Sequence, residues 1–242
     1  MTANLESQIL SLLNDEQVCL TDLNIYSSPK CDSLATQAAT GRHLRVTSNY
    51  EDEDVETGIK TSVQVYLCED DYPGWLSVSD LSLLQKANVA YHAKLLSEAE
   101  IKKLLPDVIG FTHKAMAQPN YYLWGGTVAP NYDCSGLMQA AFRSVGISLP
   151  RDAYQQEGFT ASINVAELEP GDLVFFGTSE KATHVGLYLG DNTYIHSSGK
   201  DKGRNGIGID VLSEQGDAVS RSYYQQLRGA GRVVKCYKPQ NR

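Results

Sequence analysis

Asp133-Cys134-Ser135-Gly136-Leu137-Met138-Gln139-Ala140-Ala141-Phe142-Arg143-Ser144-Val145-Gly146, which follows Pro130-Asn131-Tyr132, organises the 242-residue chain. Leu137, Met138, Ala140, Ala141, Phe142 and Val145 recur with helical spacing, so the stretch predicts a capped amphipathic helix. Asp133 stands as its N-cap and Gly146 as its stop, which sets Cys134 in the first turn. A thiol there meets unsatisfied backbone N–H groups and the positive end of the helix dipole, an arrangement that favours the nucleophilic thiolate. An isolated cysteine at a helix start is more often a small packing residue, so its neighbours decide.

Upstream, Tyr121-Tyr122-Leu123-Trp124-Gly125-Gly126 is an aromatic cluster ending in a double glycine, which brings backbone close to a cleft. Downstream come Leu149-Pro150-Arg151-Asp152 and then Pro170-Gly171-Asp172-Leu173-Val174-Phe175-Phe176, a turn feeding a buried strand. Thr183-His184-Val185-Gly186-Leu187-Tyr188-Leu189 and Tyr194-Ile195-His196, parted by Gly190-Asp191-Asn192, read as a hairpin. A three-residue loop pairing Leu189 with Thr193 makes His184 and His196 diagonal neighbours on one face. A plain two-residue loop sets them on opposite faces, so the pair requires an odd loop or a bulge. A nucleophile needs a base within hydrogen-bond reach, and the base needs a third polar group to orient it. Cys134, His184 and His196 supply those three roles; His43, His92 and His113 stand outside the pattern and are assigned no chemistry.

As an ordered set, Tyr122-Leu123-Trp124-Gly125-Gly126, Asp133-Cys134-Ser135-Gly136-Leu137, Leu149-Pro150-Arg151, Pro170 to Phe176, His184-Val185-Gly186 and His196 resemble the NlpC family of cell-wall cysteine peptidases. The likeness runs over roughly residues 107 to 237. It implies an α+β, papain-like core in which a helix carrying the cysteine packs against an antiparallel sheet carrying the histidines. Residue by residue it makes Cys134 the nucleophile, His184 the general base and acid, and His196 the orienting third member. Tyr122 falls where a hydroxyl helps stabilise the oxyanion beside a backbone N–H near Cys134, although a tyrosine in a strand usually packs. The implied substrate is a peptidoglycan-derived peptide, cut at the amide between the γ-carboxyl of D-glutamate and meso-diaminopimelate or lysine, with no metal or organic cofactor. Three alternatives remain: an N-acetylmuramoyl-L-alanine amidase or acyltransferase on the same core, a zinc site on Cys134, His184 and His196 with no clustered fourth ligand, and a non-enzymatic wall-binding protein.

Ahead of this region the texture changes. Cys19 to Leu23, His43 to Thr47, Ser62 to Cys68 and Trp75 to Ser79 read as short strands, with turns at Ser27-Ser28-Pro29 and Asp71-Tyr72-Pro73-Gly74, after an amphipathic stretch from Leu5 to Leu13. Leu23 to Pro29, Thr40 to Val46 and Gly74 to Val78 resemble bacterial Src-homology-3-like modules, an all-β barrel. The acidic run Glu51 to Glu56 reads as a solvated loop, Ser97 to Lys103 as one helix, and Val108 to Ala117 as a second after a break at Pro106. The expected division is a barrel over 1–84, a linker and helix over 85–106, and a peptidase domain over 107–242. A barrel fused in this way implies a cleft closed at one end and a short substrate with a free L-alanine amino terminus, bound by Asp133, Ser135, Asp152 and, from the barrel, Tyr72. Each of these has a structural alternative: Asp133 as a cap, Asp152 as the start of the next helix, Tyr72 as packing in a turn.

Charge sharpens the picture. The net charge is −8, with −10 carried by residues 1–83 and +2 by the remainder. An acidic front opposes nucleic acid and anionic wall polymers as partners, and no apolar run is long enough for a membrane span. Five cysteines without a C-x-x-C pair read as free thiols, the four besides Cys134 as packing residues, and Met1 to Gln17 lacks the basic start of a secretory signal. The expectation is a cytoplasmic protein acting on soluble fragments.

Overall fold

The computed structural model describes residues 7, 9–13, 15–47 and 61–240. It forms two compact units, Met1–Ala93 with Lys238–Arg242, and Lys94–Tyr237. The acidic run Glu51 to Glu56, and Leu5, Glu6 and Gln8 of the amphipathic stretch, lie outside the described residues.

The first unit holds β1 (Gln17–Cys19), β2 (Leu23–Tyr26), β3 (Leu34–Ala38), β4 (His43–Val46), β5 (Ser62–Leu67), β6 (Pro73–Ser77) and β7 (Leu84–Lys86). They make one antiparallel sheet in the order β3-β2-β6-β5-β4-β1-β7. Alternation places Leu23, Ile25, Leu44, Val46, Val63, Val65, Leu67 and Leu76 in a single core, which Ile9 joins from a helical run at 9–12. The stretch from Cys19 to Leu23 is two strand ends rather than one strand. It turns at Asp22, whose carboxylate accepts from the Thr40 N–H at 2.7 Å and hydroxyl at 2.9 Å. Pro73 and Gly74 open β6 instead of making a turn; the reversal falls at Asp71, in the left-handed region at φ 56°.

In the second unit α1 (Glu98–Met116) leads to the short pair β8 (Thr127–Val128) and β9 (Asn131–Tyr132), then α2 (Cys134–Arg143) and α3 (Ala153–Phe159). There follow β10 (Ala161–Ile163), β11 (Leu173–Gly177), β12 (Ala182–Gly190), β13 (Thr193–Ser198), β14 (Gly206–Val211), α4 (Ala218–Tyr224) and β15 (Leu227–Arg232). The last six strands form an antiparallel sheet ordered β10-β15-β11-β12-β13-β14. Leu173, Phe175, Val185, Leu187 and Ile195 pack against α1 and α2. Val174, Phe176, Tyr188 and Tyr194, on the other face, meet Val219 and Tyr223 of α4. This is an α+β fold with the cysteine-bearing helix beside an antiparallel sheet.

α1 is continuous where two helices were expected. Ser97 and Glu100 form a capping box, the Ser97 N–H donating to Glu100 Oε2 at 2.8 Å. Pro106 removes one hydrogen bond, at about 3 kcal/mol in a helix interior. Ile101 before it and Val108 after it are both buried in the same core, and that packing holds the helix together. The structural division accordingly falls between Ala93 and Lys94, with all of α1 in the second unit. Among the described residues no helix is long and apolar enough to cross a membrane.

Candidate active site

Three local devices build the site. The first is the entry to α2. Asp133, with β-region backbone, accepts from the Gly136 N–H at 2.7 Å, which makes it the N-cap and Cys134 the first residue of the helix. The loop Leu123-Trp124-Gly125-Gly126 lies directly against this turn. Gly125 needs its φ of 78° to donate its N–H to Asp133 Oδ2 at 2.9 Å. A Cβ on Gly136 would stand 2.0 Å from the Gly126 carbonyl oxygen, so only glycine fits there.

The second device is the β12–β13 hairpin. Leu187 pairs with Ile195, Tyr188 with Tyr194 and Gly190 with Thr193, with a bulge between Tyr188 and Gly190. The loop is therefore two residues, Asp191 and Asn192, both left-handed at φ 48° and 55°. The bulge restores the phase that the short loop would have lost. Extended along the strands, this register sets Gly186 opposite His196 and makes His184 its diagonal neighbour.

The third device is the hydrogen-bonded row the histidines start. His184 Nε2 lies 2.6 Å from His196 Nδ1, and His196 Nε2 lies 2.6 Å from Asp210 Oδ2. Arg204 closes the row, its Nε on Asp210 Oδ2 at 2.8 Å and its Nη2 on Oδ1. The Tyr223 ring stacks on His184 with centroids 4.3 Å apart and meets His196 edge-on, and its hydroxyl pairs with the Ser198 hydroxyl at 2.7 Å. Asp210, Arg204 and Tyr223 were not singled out from the sequence. The only trace was in β14, where Asp210 is the one charged residue, on the face opposite Ile207, Ile209 and Val211.

The thiol sits against the strand that carries His184, taking backbone hydrogen bonds from Val185 and Ser135. Its surroundings oppose the favoured thiolate expected of a helix start. Burial first, and the Asp133 carboxylate second, push the Cys134 thiol up to about 12, outweighing the two N–H groups and the Arg151 cation. His184 is held well below the ordinary imidazole value, by burial and then by His196; burial also lowers His196, against the pull of Asp210. Those directions favour a thiol beside a neutral imidazole pair at neutral pH over a preformed thiolate–imidazolium pair. Alkylation of Cys134 by iodoacetamide, followed on its own peptide by mass spectrometry, is expected to accelerate steadily from pH 6 to 9. A rate already level at pH 6 would mean a preformed ion pair.

Tyr122 lies in irregular chain before β8 rather than in a strand. Burial, then the nearby Cys134 and Asp133, raise its hydroxyl well above the usual range, so it keeps the proton an oxyanion donor requires. Asp133 and Ser135 are committed inward. Arg151, 2 % exposed, donates to both Asp133 oxygens, at 3.2 and 2.5 Å, and to Ser135 Oγ at 2.9 Å. With Gly125 and Gly136 also donating, the Asp133 carboxylate caps the helix and is held by Arg151 from inside. Asp152 is half-buried at the start of α3, its N–H donating to Gln155 Oε1 at 3.0 Å. Tyr72 belongs to the first unit, at the β5–β6 reversal, where its N–H donates to Asp70 Oδ1 at 3.2 Å. His43 pairs with Glu16 at 3.2 Å in the first unit. All five cysteines are free; Cys19, Cys68 and Cys236 are packing residues, whereas Cys31 is half-buried in a loop at φ 54°. Among the described residues no three His, Cys, Asp or Glu side chains cluster as metal ligands.

Residues 119–228, which carry the thiol, both histidines, Asp210 and Tyr223, match the NlpC/P60 family. The chain carries an NlpC/P60 domain. Residues 25–81 match a bacterial dipeptidyl-peptidase Sh3 domain, so an SH3-like domain precedes the NlpC/P60 domain. A Haemophilus influenzae protein described as a probable endopeptidase NlpC homolog is 40% identical over 108 residues, 44% of this chain and 54% of that protein. The bifunctional muramidase/DL-endopeptidase CwlT of Bacillus subtilis is 44% identical over 81 residues, 32% of this chain and 25% of its own. The murein DD-endopeptidase/murein LD-carboxypeptidase MepS of Escherichia coli is 40% identical over 78 residues, 32% of this chain and 42% of its own. The chain thus spans about half the length of the first of these relatives and less of the other two.

Proposed function

We propose that the protein is a cysteine endopeptidase of peptidoglycan stem peptides, with Cys134 as nucleophile, His184 as base and acid, and His196 as orienting residue. The row from His184 through His196 to Asp210, beside a thiol bonded by the Val185 N–H, is the observation that carries the reading. His184 takes the thiol proton while Sγ bonds to the carbonyl carbon, and the Tyr122 hydroxyl and a backbone N–H near Cys134 hold the oxyanion. As the intermediate collapses the C–N bond breaks, the proton passes from His184 to the leaving amine, and a thioester remains. Water, deprotonated by His184, then attacks the thioester and releases the carboxylate, and the proton returns to sulfur.

The bond proposed is the amide between the γ-carboxyl of D-glutamate and the diamino acid. Two of the three relatives are described by different bond specificities, one as a DL-endopeptidase and one as a DD-endopeptidase and LD-carboxypeptidase, which makes the bond the decisive measurement. Mass spectrometry of products from defined muropeptides is expected to show release of L-Ala-γ-D-Glu from the diamino acid. Release of N-acetylmuramic acid instead would identify an amidase, and cleavage only between two D-centres would overturn the assignment. A preference for a free L-alanine amino terminus is part of the proposal, with Asp133, Ser135, Asp152 and Tyr72 as the residues that would bind it; Asp133 and Ser135 also bond Arg151, and Asp152 also caps α3. Equal rates on the tripeptide and its N-acetylated form would remove that preference. Action on soluble fragments in the cytoplasm is the setting in which such free-amine peptides are met.

A further inference from the structure

We propose that Asp210, clamped by Arg204, is a positioning residue that sets the tautomer of both histidines and thereby makes His184 Nδ1 the atom that accepts the thiol proton. The inference rests on the reading of Cys134 and His184 as nucleophile and base.

An ionised carboxylate only accepts hydrogen bonds. Burial alone would favour the protonated acid, but hydrogen bonds from His196 and Arg204 outweigh it and keep Asp210 well below the usual carboxylate range. The Ser220 hydroxyl adds a further donor to Oδ1 at 3.1 Å. His196 Nε2, 2.6 Å from Oδ2, must therefore carry a hydrogen. Both rings are buried and neutral, so a hydrogen on His196 Nε2 leaves its Nδ1 with a lone pair. That lone pair faces His184 Nε2 at 2.6 Å, so the second hydrogen of the row belongs to His184 Nε2. One atom then remains on His184 with a free pair, Nδ1. The choice is transmitted across two rings from a single anion.

The packing around the row allows little else. Tyr223 stacks on His184, Tyr194 lies 4.9 Å from the His196 centroid, and Phe176 lies 6.0 Å from that of His184, so neither ring can turn over without displacing an aromatic neighbour. The charged groups that act on the two histidines are Asp210, Arg204 and Lys202, and the titratable rings packed against them are those of Tyr194 and Tyr223. Asp217, at 4.0 Å from Arg204, lies behind the clamp. Of these only Asp210 both carries negative charge and hydrogen-bonds a ring.

Nitrogen-15 NMR of histidine-labelled wild-type protein near neutral pH tests the tautomers without any substitution. Nε2-protonated, Nδ1-unprotonated signals are expected for both His184 and His196, and an Nδ1-protonated His184 would overturn the proposal. Asp210→Asn removes the charge and offers an amide N–H that reverses the row. It is expected to lower kcat by about 10²-fold or more with KM changed less than about twofold, and to bring up Nδ1-protonated His184. Arg204→Lys keeps a cation at the clamp and is expected to retain kcat within about tenfold, with the wild-type tautomers. An Asp210→Asn protein with wild-type tautomers and kcat within about threefold would sink the role of Asp210 while leaving the thiol mechanism intact. Activity surviving in Cys134→Ala would sink the thiol mechanism itself.

Discussion

Cys134→Ala is expected to lose hydrolysis of stem peptides by roughly 10⁴-fold or more, because the covalent route vanishes with the sulfur. What survives is the positioning of substrate and the oxyanion donors, which for a nucleophile-less hydrolase leave only a weak catalysis over water. The fold should be untouched. Alanine keeps the helix start, and the capping and closure at this turn are made by Asp133, Gly125 and Gly136. Turnover measured on a purified, cooperatively melting Cys134→Ala protein decides the matter, and undiminished release of the dipeptide would exclude the thiol as nucleophile. His184 and His196 cannot compensate, since an imidazole base with no thiol to deprotonate can at best activate water from a position built for sulfur.

The largest effect on stability is expected at Arg151, which the sequence presented only as part of Leu149-Pro150-Arg151. Its guanidinium is 2 % exposed and forks onto both oxygens of Asp133, itself 6 % exposed. Arg151→Leu leaves that carboxylate buried without its cation, which typically costs about 3–5 kcal/mol. In a unit of this size the melting temperature should fall by roughly 10 °C. Calorimetry or urea unfolding of the variant measures this, and a loss below about 1 kcal/mol would mean that water reaches the pair. The same change should weaken activity, because the carboxylate that Arg151 holds is the cap of the helix that presents Cys134.

These expectations also show what was legible in the residues and what was not. The α2 entry is local: a cap, a cysteine and an apolar period lie within one stretch, and nothing distant alters them. The hairpin was legible as a condition, because strand alternation links the faces of His184 and His196 to the parity of the connection; the bulge met it in place of a three-residue loop. Asp210 escaped because β14 is inverted. Ile209 and Val211 point outward, 38 % and 39 % exposed, while Gly206, Gly208 and Asp210 point inward, the reverse of what hydrophobicity alone assigns. β3 escaped because Leu34-Ala35-Thr36-Gln37-Ala38 has little strand preference, and pairing with β2 supplies what propensity does not. The thiol's burial was hidden for a related reason. A helix N-terminus is visible in sequence, but the desolvation that outweighs it at Cys134 is set by the whole fold.

The bulge between Tyr188 and Gly190 gives the β12–β13 hairpin the property of a reading frame. Insertions of whole residue pairs in the connection leave every inward side chain inward, whereas removing one residue there moves His196 to the opposite face from His184 and breaks the row at its first joint. Chemistry in this domain is therefore sensitive to the arithmetic of a surface turn that touches no reacting atom. Length variation among hairpins of this kind should come in steps of two, or carry a compensating bulge, wherever the histidine pair is retained.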